Sequence, residues 1–355
     1  MNHLKKIQEA LRSQGKEALL ITSEANEFYA VGFKGEGWTL ITPDQVFYAT
    51  DSRYIEAAGR IEGIRPECMS RERSHRTIMA DHVRELGIKT LDIEENAMTV
   101  SLFRSLKEAL PEEVSLENGS DLLTELRAAK DEAEIALMKE AQAITDRTFS
   151  AILKELKVGM TEKEVAARLT YLQMSFGAEK NSFDPIAASG PNSSMPHAVP
   201  TDRRIEEGDL LTMDFGCLYK GYCSDMTRTV CFGQPTEEMK RVYETVKTAQ
   251  ETAISRIRAG VIGADIHRAA EEVIERVGYG GCFGHGFGHS LGIEIHERPT
   301  AAPSNKEPVP ENAVISAEPG IYLPGRFGVR IEDVTIYRAN GAEDITASPK
   351  DLICL

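Results

Sequence analysis

Hydrophobic and polar positions alternate along the first 125 residues in a way that predicts a mixed set of helices and strands. An amphipathic helix precedes the buried strand ALLIT, and two β-rich segments around Pro43 predict a hairpin. The predicted elements are a helix ended by Gly15, strands at 18–22, 38–42, 46–50 and 90–93, and helices at 75–86 and 101–110. This pattern is typical of a self-contained α/β unit, in which His75 and His82 are interpreted as surface or packing residues.

A charge-rich segment at 121–135 predicts a long helix that runs to about Leu156. We place a domain boundary here and predict two domains, residues 1–127 and residues 128–355. The sequence pattern of the second domain predicts two related, βαβ-like halves, each with two helices followed by strands. Gly159 and Gly260 are 101 positions apart, as are the helix-ending Gly177 and Gly278. A cleft between two such halves is a common place for a binding site.

Residues 209–231 predict two apolar strands joined by a turn within 219–221, and each strand contains one aspartate. A two-residue turn places Asp214 and Asp225 on one face of the hairpin, either directly opposite or diagonally related. A three-residue turn places them on opposite faces. Carboxylates that share an apolar setting repel each other and are costly to bury, so we expect a cation between them.

Further downstream, six more acidic or imidazole side chains lie in apolar, glycine-rich or turn-rich segments. They are Glu318 at the end of one apolar strand, Glu332 inside the next, His285, His289 and His296 in a glycine-rich stretch, and His197 in a loop. Strand alternation places His285 and His289 on one face and His296 on the other, unless a bulge intervenes. Each residue alone also has a plain structural explanation, such as a satisfied core histidine.

Together, the four strand carboxylates at 214, 225, 318 and 332 carry a charge that two divalent cations would cancel. Carboxylates with one imidazole suit Mn²⁺, Co²⁺ or Zn²⁺. Two such ions, bridged by carboxylates and a hydroxide, form a hydrolytic site.

Composition narrows the setting. The chain of 355 residues has a net charge of −15, which argues against nucleic acid or an anionic membrane as a partner. We find no apolar run long enough to span a membrane and no export signal. The six cysteines contain no CxxC pair and do not look like a disulfide framework. The expected localisation is the cytoplasm.

The order and spacing of these residues resemble the pita-bread metallopeptidases, which include methionine aminopeptidase, aminopeptidase P, prolidase and creatinase. The motifs MDFG, SDMTRT, HGFGHSLG, SAEPG and VRIED are similar to that family's, over roughly residues 130–355. The separate N-terminal domain is similar to that of the Xaa-Pro peptidases and creatinase. The resemblance implies an α/β (α+β) fold, with a creatinase-like N-terminal domain and a pseudo-symmetric pita-bread catalytic domain.

The resemblance also implies roles for particular residues. Two divalent metal ions, Mn, Co or Zn, would be held by Asp214, Asp225, His289, Glu318 and Glu332, with a bridging hydroxide as the nucleophile. The other implied roles are general base for Glu318, substrate carbonyl contact for His285 and His296, contact with the residue after the scissile bond for His197, and support of Asp214 for Arg330.

The implied substrate is a peptide with proline at the second position, and the implied assembly is a homodimer. An Xaa-Pro bond has no amide hydrogen, so peptidases that hold that hydrogen cannot use it. Some prolidases carry an arginine a few residues after the position of His296 that grips the dipeptide carboxylate. Here Arg298 is only two residues on, so dipeptidase and aminopeptidase both stay open. The alternatives are a methionine or general aminopeptidase of this fold, or a non-catalytic binding module.

Overall fold

The computed structural model describes residues 2–355. The chain divides into two compact units between Leu126 and Arg127. No described helix is both long and apolar enough to cross a membrane.

The first unit is built on one mixed sheet. Its helices are α1 Leu4–Gln14, α2 Glu24–Val31, α3 Ile55–Ala58, α4 His75–Glu85, α5 Val100–Ala109 and α6 Ser120–Ala128, the last of which spans the division between the units. Its strands are β1 Ala18–Ile21, β2 Trp38–Ile41, β3 Val46–Thr50, β4 Arg65–Cys68, β5 Thr90–Ile93 and β6 Ser115–Asn118. The sheet order is β4-β3-β2-β1-β5-β6, and the predicted hairpin is β2 with β3.

The two histidines of α4 are packing residues, as predicted. The His82 ring stacks on Phe47 with 3.9 Å between ring centroids, and it hydrogen-bonds to Glu67. His75 stacks on Trp38. Both rings therefore help to cover one edge of the core between α4 and the sheet.

The second unit combines two helix pairs with four antiparallel sheets. Its helices are α7 Glu132–Ile152, α8 Glu162–Ser175, α9 Glu237–Ile254 and α10 Gly263–Arg276, with a 3₁₀ turn at Gly190–Ser194. Its strands are β7 Lys180–Asn181, β8 Ile186–Ser189, β9 Leu210–Asp214, β10 Cys217–Tyr219, β11 Tyr222–Cys223, β12 Thr227–Cys231, β13 Gly288–Ser290, β14 Glu297–Ala301, β15 Val314–Ala317, β16 Gly320–Leu323, β17 Phe327–Arg330, β18 Asp333–Arg338 and β19 Gly341–Asp344. The sheet orders are β11-β10-β7, β12-β9-β8, β14-β13-β15-β18-β19 and β16-β17.

One predicted helix is wrong. The segment expected to run unbroken from 121 to about 156 is two helices, α6 and α7, because Asp131 caps the start of α7. Asp131 Oδ1 accepts from the backbone N–H groups of Ala133 and Glu134, each over 2.9 Å, and Glu134 Oε2 accepts from Asp131 N over 2.8 Å. This is a capping box of the form D-x-x-E, which the surrounding charges concealed in the sequence.

The two halves of the second unit repeat as expected. Helices α8 and α10 begin and end 101 positions apart, and the glycines that precede and follow them share a left-handed backbone, with φ between 80° and 105°. The description of the halves as βαβ-like is wrong, since all pairings between the named strands of residues 127–355 are antiparallel. Short connections between neighbouring strands favour antiparallel pairing, whereas parallel strands need a long crossover.

The hairpin of residues 209–231 turns at Lys220 and Gly221, which have φ values of 47° and 83°. Positive φ at both positions is the requirement of a type I′ turn. The resulting register places Asp214 opposite Thr227, so Asp214 and Asp225 are diagonal neighbours on one face. The structure confirms a two-residue turn, and of the two predicted arrangements it has the one in which the aspartates are diagonally related.

Gly288 generates a testable prediction, because β13 approaches β15 very closely there. A Cβ at Gly288 would lie 1.8 Å from the carbonyl oxygen of Ser316. Gly288→Ala should lower the free energy of unfolding by roughly 3 kcal/mol, because overpacking forces backbone shifts. Gly341→Ala is the matched control, since a Cβ there meets nothing within 4 Å, and its effect should stay within about 0.5 kcal/mol. Similar denaturant midpoints for the two variants would contradict this account.

Candidate active site

The candidate carboxylates lie where strands end or break. Asp214 is the last residue of β9 and Glu318 follows the end of β15, as expected. Asp225 lies between β11 and β12, and Glu332 lies between β17 and β18. Their predicted placement inside continuous strands is wrong, because the backbone leaves the main ladder at both positions. Glu332 N instead donates to Thr227 O over 3.0 Å, which joins the two halves of the unit beside the site.

These side chains converge on one point. His289 Nε2 lies 3.6 Å from Asp225 Oδ2 and 3.4 Å from Glu318 Oε1. One ligand atom from each of Asp225, His289 and Glu332 lies within 4.8 Å of the others. All of these except Glu332 line one cavity of about 570 Å³, together with Asp214. The structure therefore brings the five predicted ligand residues to a single cleft.

Three buried carboxylate oxygens in this cleft have no hydrogen-bond partner among residues 2–355. They are Asp214 Oδ1, Asp225 Oδ1 and Glu332 Oε1. Burial, followed by the neighbouring negative charges, raises the pKa of Asp225 and of Glu332 well above the ordinary values, and burial also raises the pKa of Glu318. Oxygen atoms that are buried, unsatisfied and close to one imidazole are the donor set that a divalent cation takes. The residues present thus fit a metal site.

Behind the carboxylates, Arg330 connects several parts of the site. Its Nη2 donates to Asp214 Oδ2 over 2.7 Å, and its Nε donates to Thr227 Oγ1 over 3.0 Å. Thr227 Oγ1 in turn donates to Glu332 Oε2 over 2.7 Å. Arg330 therefore pairs directly with Asp214, the residue it was expected to support, and it reaches Glu332 only through the threonine hydroxyl.

The histidines occupy different environments around the cavity. Strand β13 is irregular after His289, so His296 faces the same cavity and its ring lies 4.4 Å from the His289 ring. His285 is held by Gly286 O at Nδ1 and by the Tyr322 hydroxyl at Nε2, over 2.8 and 2.9 Å. Burial lowers the pKa of all three imidazoles. His197 lies on the cavity wall, in the loop that follows the 3₁₀ turn at Gly190–Ser194, and its side chain is exposed.

Sequence reasoning missed the two hydroxyls that organise the site, Thr227 and Tyr322. The Tyr322 hydroxyl accepts from Arg330 Nη1 over 2.9 Å as well as contacting His285. Both residues lie in buried strands, where threonine and tyrosine are common for packing reasons. The position of Thr227 two residues after Asp225, on the same side of an extended strand, was a signal that the sequence offered.

An α/β unit that gathers unsatisfied carboxylates and one imidazole in a cleft defines a metal-dependent enzyme, and comparison with known proteins agrees. Residues 136–338 match metallopeptidase family M24, and residues 3–129 match the creatinase/prolidase N-terminal domain. The chain belongs to metallopeptidase family M24. It is accordingly a hydrolase that acts on a peptide substrate and uses divalent metal ions. The predicted α/β (α+β) class with a creatinase-like first domain is confirmed.

Close similarity extends over whole chains. The uncharacterized peptidase YqhT of Bacillus subtilis is 40% identical over 99% of both chains. The structure of an Xaa-Pro dipeptidase from Bacillus anthracis shows a TM-score of 0.95 at 38% identity, over 99% of both chains. The structure of an X-Pro aminopeptidase from Thermotoga maritima shows a TM-score of 0.91 at 37% identity, over 98% of this chain and 100% of that one.

The carboxylate cluster predicts an unusual effect on stability. Because the pKa of Glu332 is raised on folding, its ionised form opposes folding at neutral pH once metal is removed. Glu332→Gln should therefore stabilise the chelated protein by about 1 kcal/mol and should destabilise it relative to wild type when Mn²⁺ is saturating. Unfolding in EDTA and in Mn²⁺ measures both, with the exposed Glu311→Gln as control. The same sign in both buffers would contradict a metal role for this carboxylate.

Proposed function

We propose that this metallopeptidase cleaves the peptide bond that precedes a proline at the second position of its substrate, as an Xaa-Pro peptidase. The observation that carries the proposal is the similarity of both units, over nearly the full length, to an Xaa-Pro dipeptidase and an X-Pro aminopeptidase of solved structure. We retain the domain limits 1–127 and 128–355 as part of the proposal.

Two divalent ions would be held by the five converging side chains, Asp214, Asp225, His289, Glu318 and Glu332. When bound, such ions polarise the scissile carbonyl and lower the pKa of a water molecule to a value at which it is a nucleophile. Four carboxylates and one imidazole suit Mn²⁺, Co²⁺ or Zn²⁺. Arg330 would fix Asp214 in the orientation that presents its unsatisfied oxygen to the cleft.

Glu318 is the proposed general base. Ser316 Oγ donates to its Oε1 over 2.9 Å, and burial raises the pKa of the Glu318 carboxyl above its ordinary value, the direction that favours acceptance of a proton. The side chain lines the cavity, where it can accept the proton of the attacking water and pass it to the leaving nitrogen.

His285 and His296 are proposed to contact the substrate carbonyl. His296 is exposed, lines the cavity and lies beside the His289 ring, so its ring can donate to a developing oxyanion. A contact from His285 would need the Tyr322 hydroxyl to release Nε2. His197 is proposed to face the proline, beside the apolar side chains of Phe183, Ile186 and Val199.

We further propose a cytoplasmic homodimer that acts on peptides and uses neither nucleic acid nor membrane as a partner. The net charge of −15 supports the exclusion of polyanions. The dimer is implied by the resemblance of the chain to its family.

Glu318→Gln tests the reaction directly. The amide keeps the shape of the side chain but cannot accept a proton, so kcat on an Xaa-Pro-Yaa peptide should fall by about 10²- to 10⁴-fold. Because an amide oxygen can still coordinate a cation, bound metal, measured by elemental analysis in excess Mn²⁺, and the fold, measured by circular dichroism, should both be retained. Near-normal turnover by Glu318→Gln would rule out Glu318 as the general base. A wild-type enzyme that does not cleave the Xaa-Pro-Yaa peptide would refute the proposed specificity.

The cavity also predicts the preferred length of the substrate. Arg330 is the one guanidinium among the described residues that line the cavity, and all of its nitrogens are engaged by protein groups. Arg298 is exposed and lies outside the cavity lining, whereas the exposed carboxylate of Asp184 lies within it. No lysine or arginine of the described lining is therefore free to pair with the carboxylate that a dipeptide places directly after proline.

We expect kcat/KM for Xaa-Pro-Yaa to exceed that for Xaa-Pro by at least about tenfold, since a charge-assisted hydrogen bond contributes about 1.5–3 kcal/mol. Asp184→Asn should narrow this difference, and Arg298→Ala should leave it unchanged. Equal or better cleavage of the dipeptide, lost on replacement of Arg298, would identify the enzyme as a dipeptidase instead.

A further inference from the structure

Residues 190–201, which we name the rim loop, form one wall of the cavity. Five consecutive residues of this loop, 196–200, line the cavity, and they include His197 and the 77% exposed Val199. The only regular structure of the loop is the 3₁₀ turn at Gly190–Ser194. The position of the rim loop must therefore be set largely by bonds to other segments.

Both ends of the rim loop are tied to one carboxylate, Glu162, the first residue of α8. Its Oε1 accepts from the N–H and the hydroxyl of Ser189, over 2.7 and 2.8 Å. Its Oε2 accepts from the N–H and the hydroxyl of Thr201, over 3.0 and 2.6 Å. The amide nitrogen of Asn192 donates to both oxygens, over 3.0 and 3.1 Å.

The stability of α8 does not account for Glu162. The helix is capped by Thr161 and Glu164, which form a complete capping box without it. Glu162 itself is fully buried, and its hydrogen-bond partners are all uncharged residues of the rim loop and the adjoining Ser189. A buried charge is costly unless every donor around it is in place, so this arrangement strongly favours one conformation of the loop.

Burial opposes the ionisation of Glu162, but the hydrogen bonds from Thr201 and Ser189 outweigh it, and the pKa is lowered. All six hydrogen bonds to the carboxylate come from donors, and the Arg203 guanidinium, which donates to Ser189 Oγ, adds a positive charge nearby. A neutral amide at this position would direct its own N–H group at a donor and would leave at least one of them without a partner.

The middle of the rim loop is held by strand β17, through Arg330 and Gly328. Pro196 O accepts from Arg330 Nη1 over 3.1 Å, and Ser193 Oγ accepts from Gly328 N over 2.9 Å. The loop is thus hydrogen-bonded to Glu162 at its ends and to Arg330 and Gly328 at its centre. His197 directly follows Pro196, whose carbonyl accepts from Arg330.

We propose that Glu162 is a positioning residue for substrate binding: its carboxylate holds the rim loop so that His197 faces the proline of the substrate. The proposal rests on the proposed Xaa-Pro specificity. It assigns Glu162 no contact with substrate or metal, and its effect passes through the loop.

The test compares wild type, Glu162→Gln, His197→Ala and the double variant on an Xaa-Pro-Yaa peptide. Glu162→Gln should lower kcat/KM by roughly 10- to 100-fold, mainly through KM, because small displacements of a binding group are costly. Bound metal should be unchanged. In the His197→Ala background the same substitution should cost less than about threefold, because the imidazole that Glu162 positions is already absent.

Two further variants keep the test sharp. Glu164→Gln, in the same helix turn but in contact with Thr161 N rather than the rim loop, should leave kcat/KM unchanged. Thr201→Val removes one donor to Glu162 without a large change of shape, and it should lower kcat/KM by a smaller factor than Glu162→Gln. This variant decides the test if Glu162→Gln does not fold. Hydrogen exchange of the metal-free proteins should be faster in residues 190–201 for Glu162→Gln and for Thr201→Val than for wild type, and exchange in α8 should be unchanged.

An equal loss from Glu162→Gln in both backgrounds, a loss explained wholly by lower metal content, or unchanged exchange of the rim loop would overturn the proposal. A wild-type enzyme that cleaves other peptides but not Xaa-Pro bonds would instead refute the proposed specificity. In that case the exchange measurements still decide whether Glu162 holds the loop.

Discussion

Four carboxylates that share one cleft are the constraint on which the second unit depends. Asp225 and Glu332 are buried, and three carboxylate oxygens of the cluster lack a hydrogen-bond partner within the described part of the chain. Like charges in a low dielectric repel strongly, so the ionised forms of the buried carboxylates oppose folding of the protein alone. The repulsion is useful only if cations occupy the cleft, and the rest of the unit is arranged to keep the carboxylates in place until they do.

Arg330 supplies a positive charge that the protein itself places beside these carboxylates. One guanidinium holds Asp214, the threonine hydroxyl that holds Glu332, the tyrosine hydroxyl that holds His285, and the carbonyl of Pro196 in the rim loop. A single planar group with several fixed donors can do this, whereas a lysine cannot. The orientation of the metal ligands and the position of the substrate wall are consequently linked through one side chain.

Breaks in the strands give the site its shape. Asp225 and Glu332 lie where the main ladder is interrupted, and the irregularity after His289 turns His296 toward the same cavity. A continuous strand would present alternate side chains to opposite faces. Interruptions from both pseudo-symmetric halves meet at one point, where side chains from five segments can reach a common centre.

The sequence alone determined the parts that depend on local pattern. Helix caps, glycines at left-handed positions and the hairpin around Lys220–Gly221 follow from the preferences of short segments, so the 101-residue repeat and the shared face of Asp214 and Asp225 were visible beforehand. The convergence of distant acids on a metal was also accessible, because a charged residue in an apolar strand is costly and needs an explanation. The capping box at Asp131 was equally local, and it was missed only because charged neighbours concealed it.

Tertiary structure decided which groups touch. No local pattern pairs Arg330 with Asp214 rather than Glu332, places Tyr322 against His285, or ties both ends of the rim loop to Glu162, because these contacts join residues that are up to 116 positions apart. Their geometry depends on how the two halves pack and on where each strand leaves its sheet. The sequence determined which chemical groups are present, and only packing decided which of them meet.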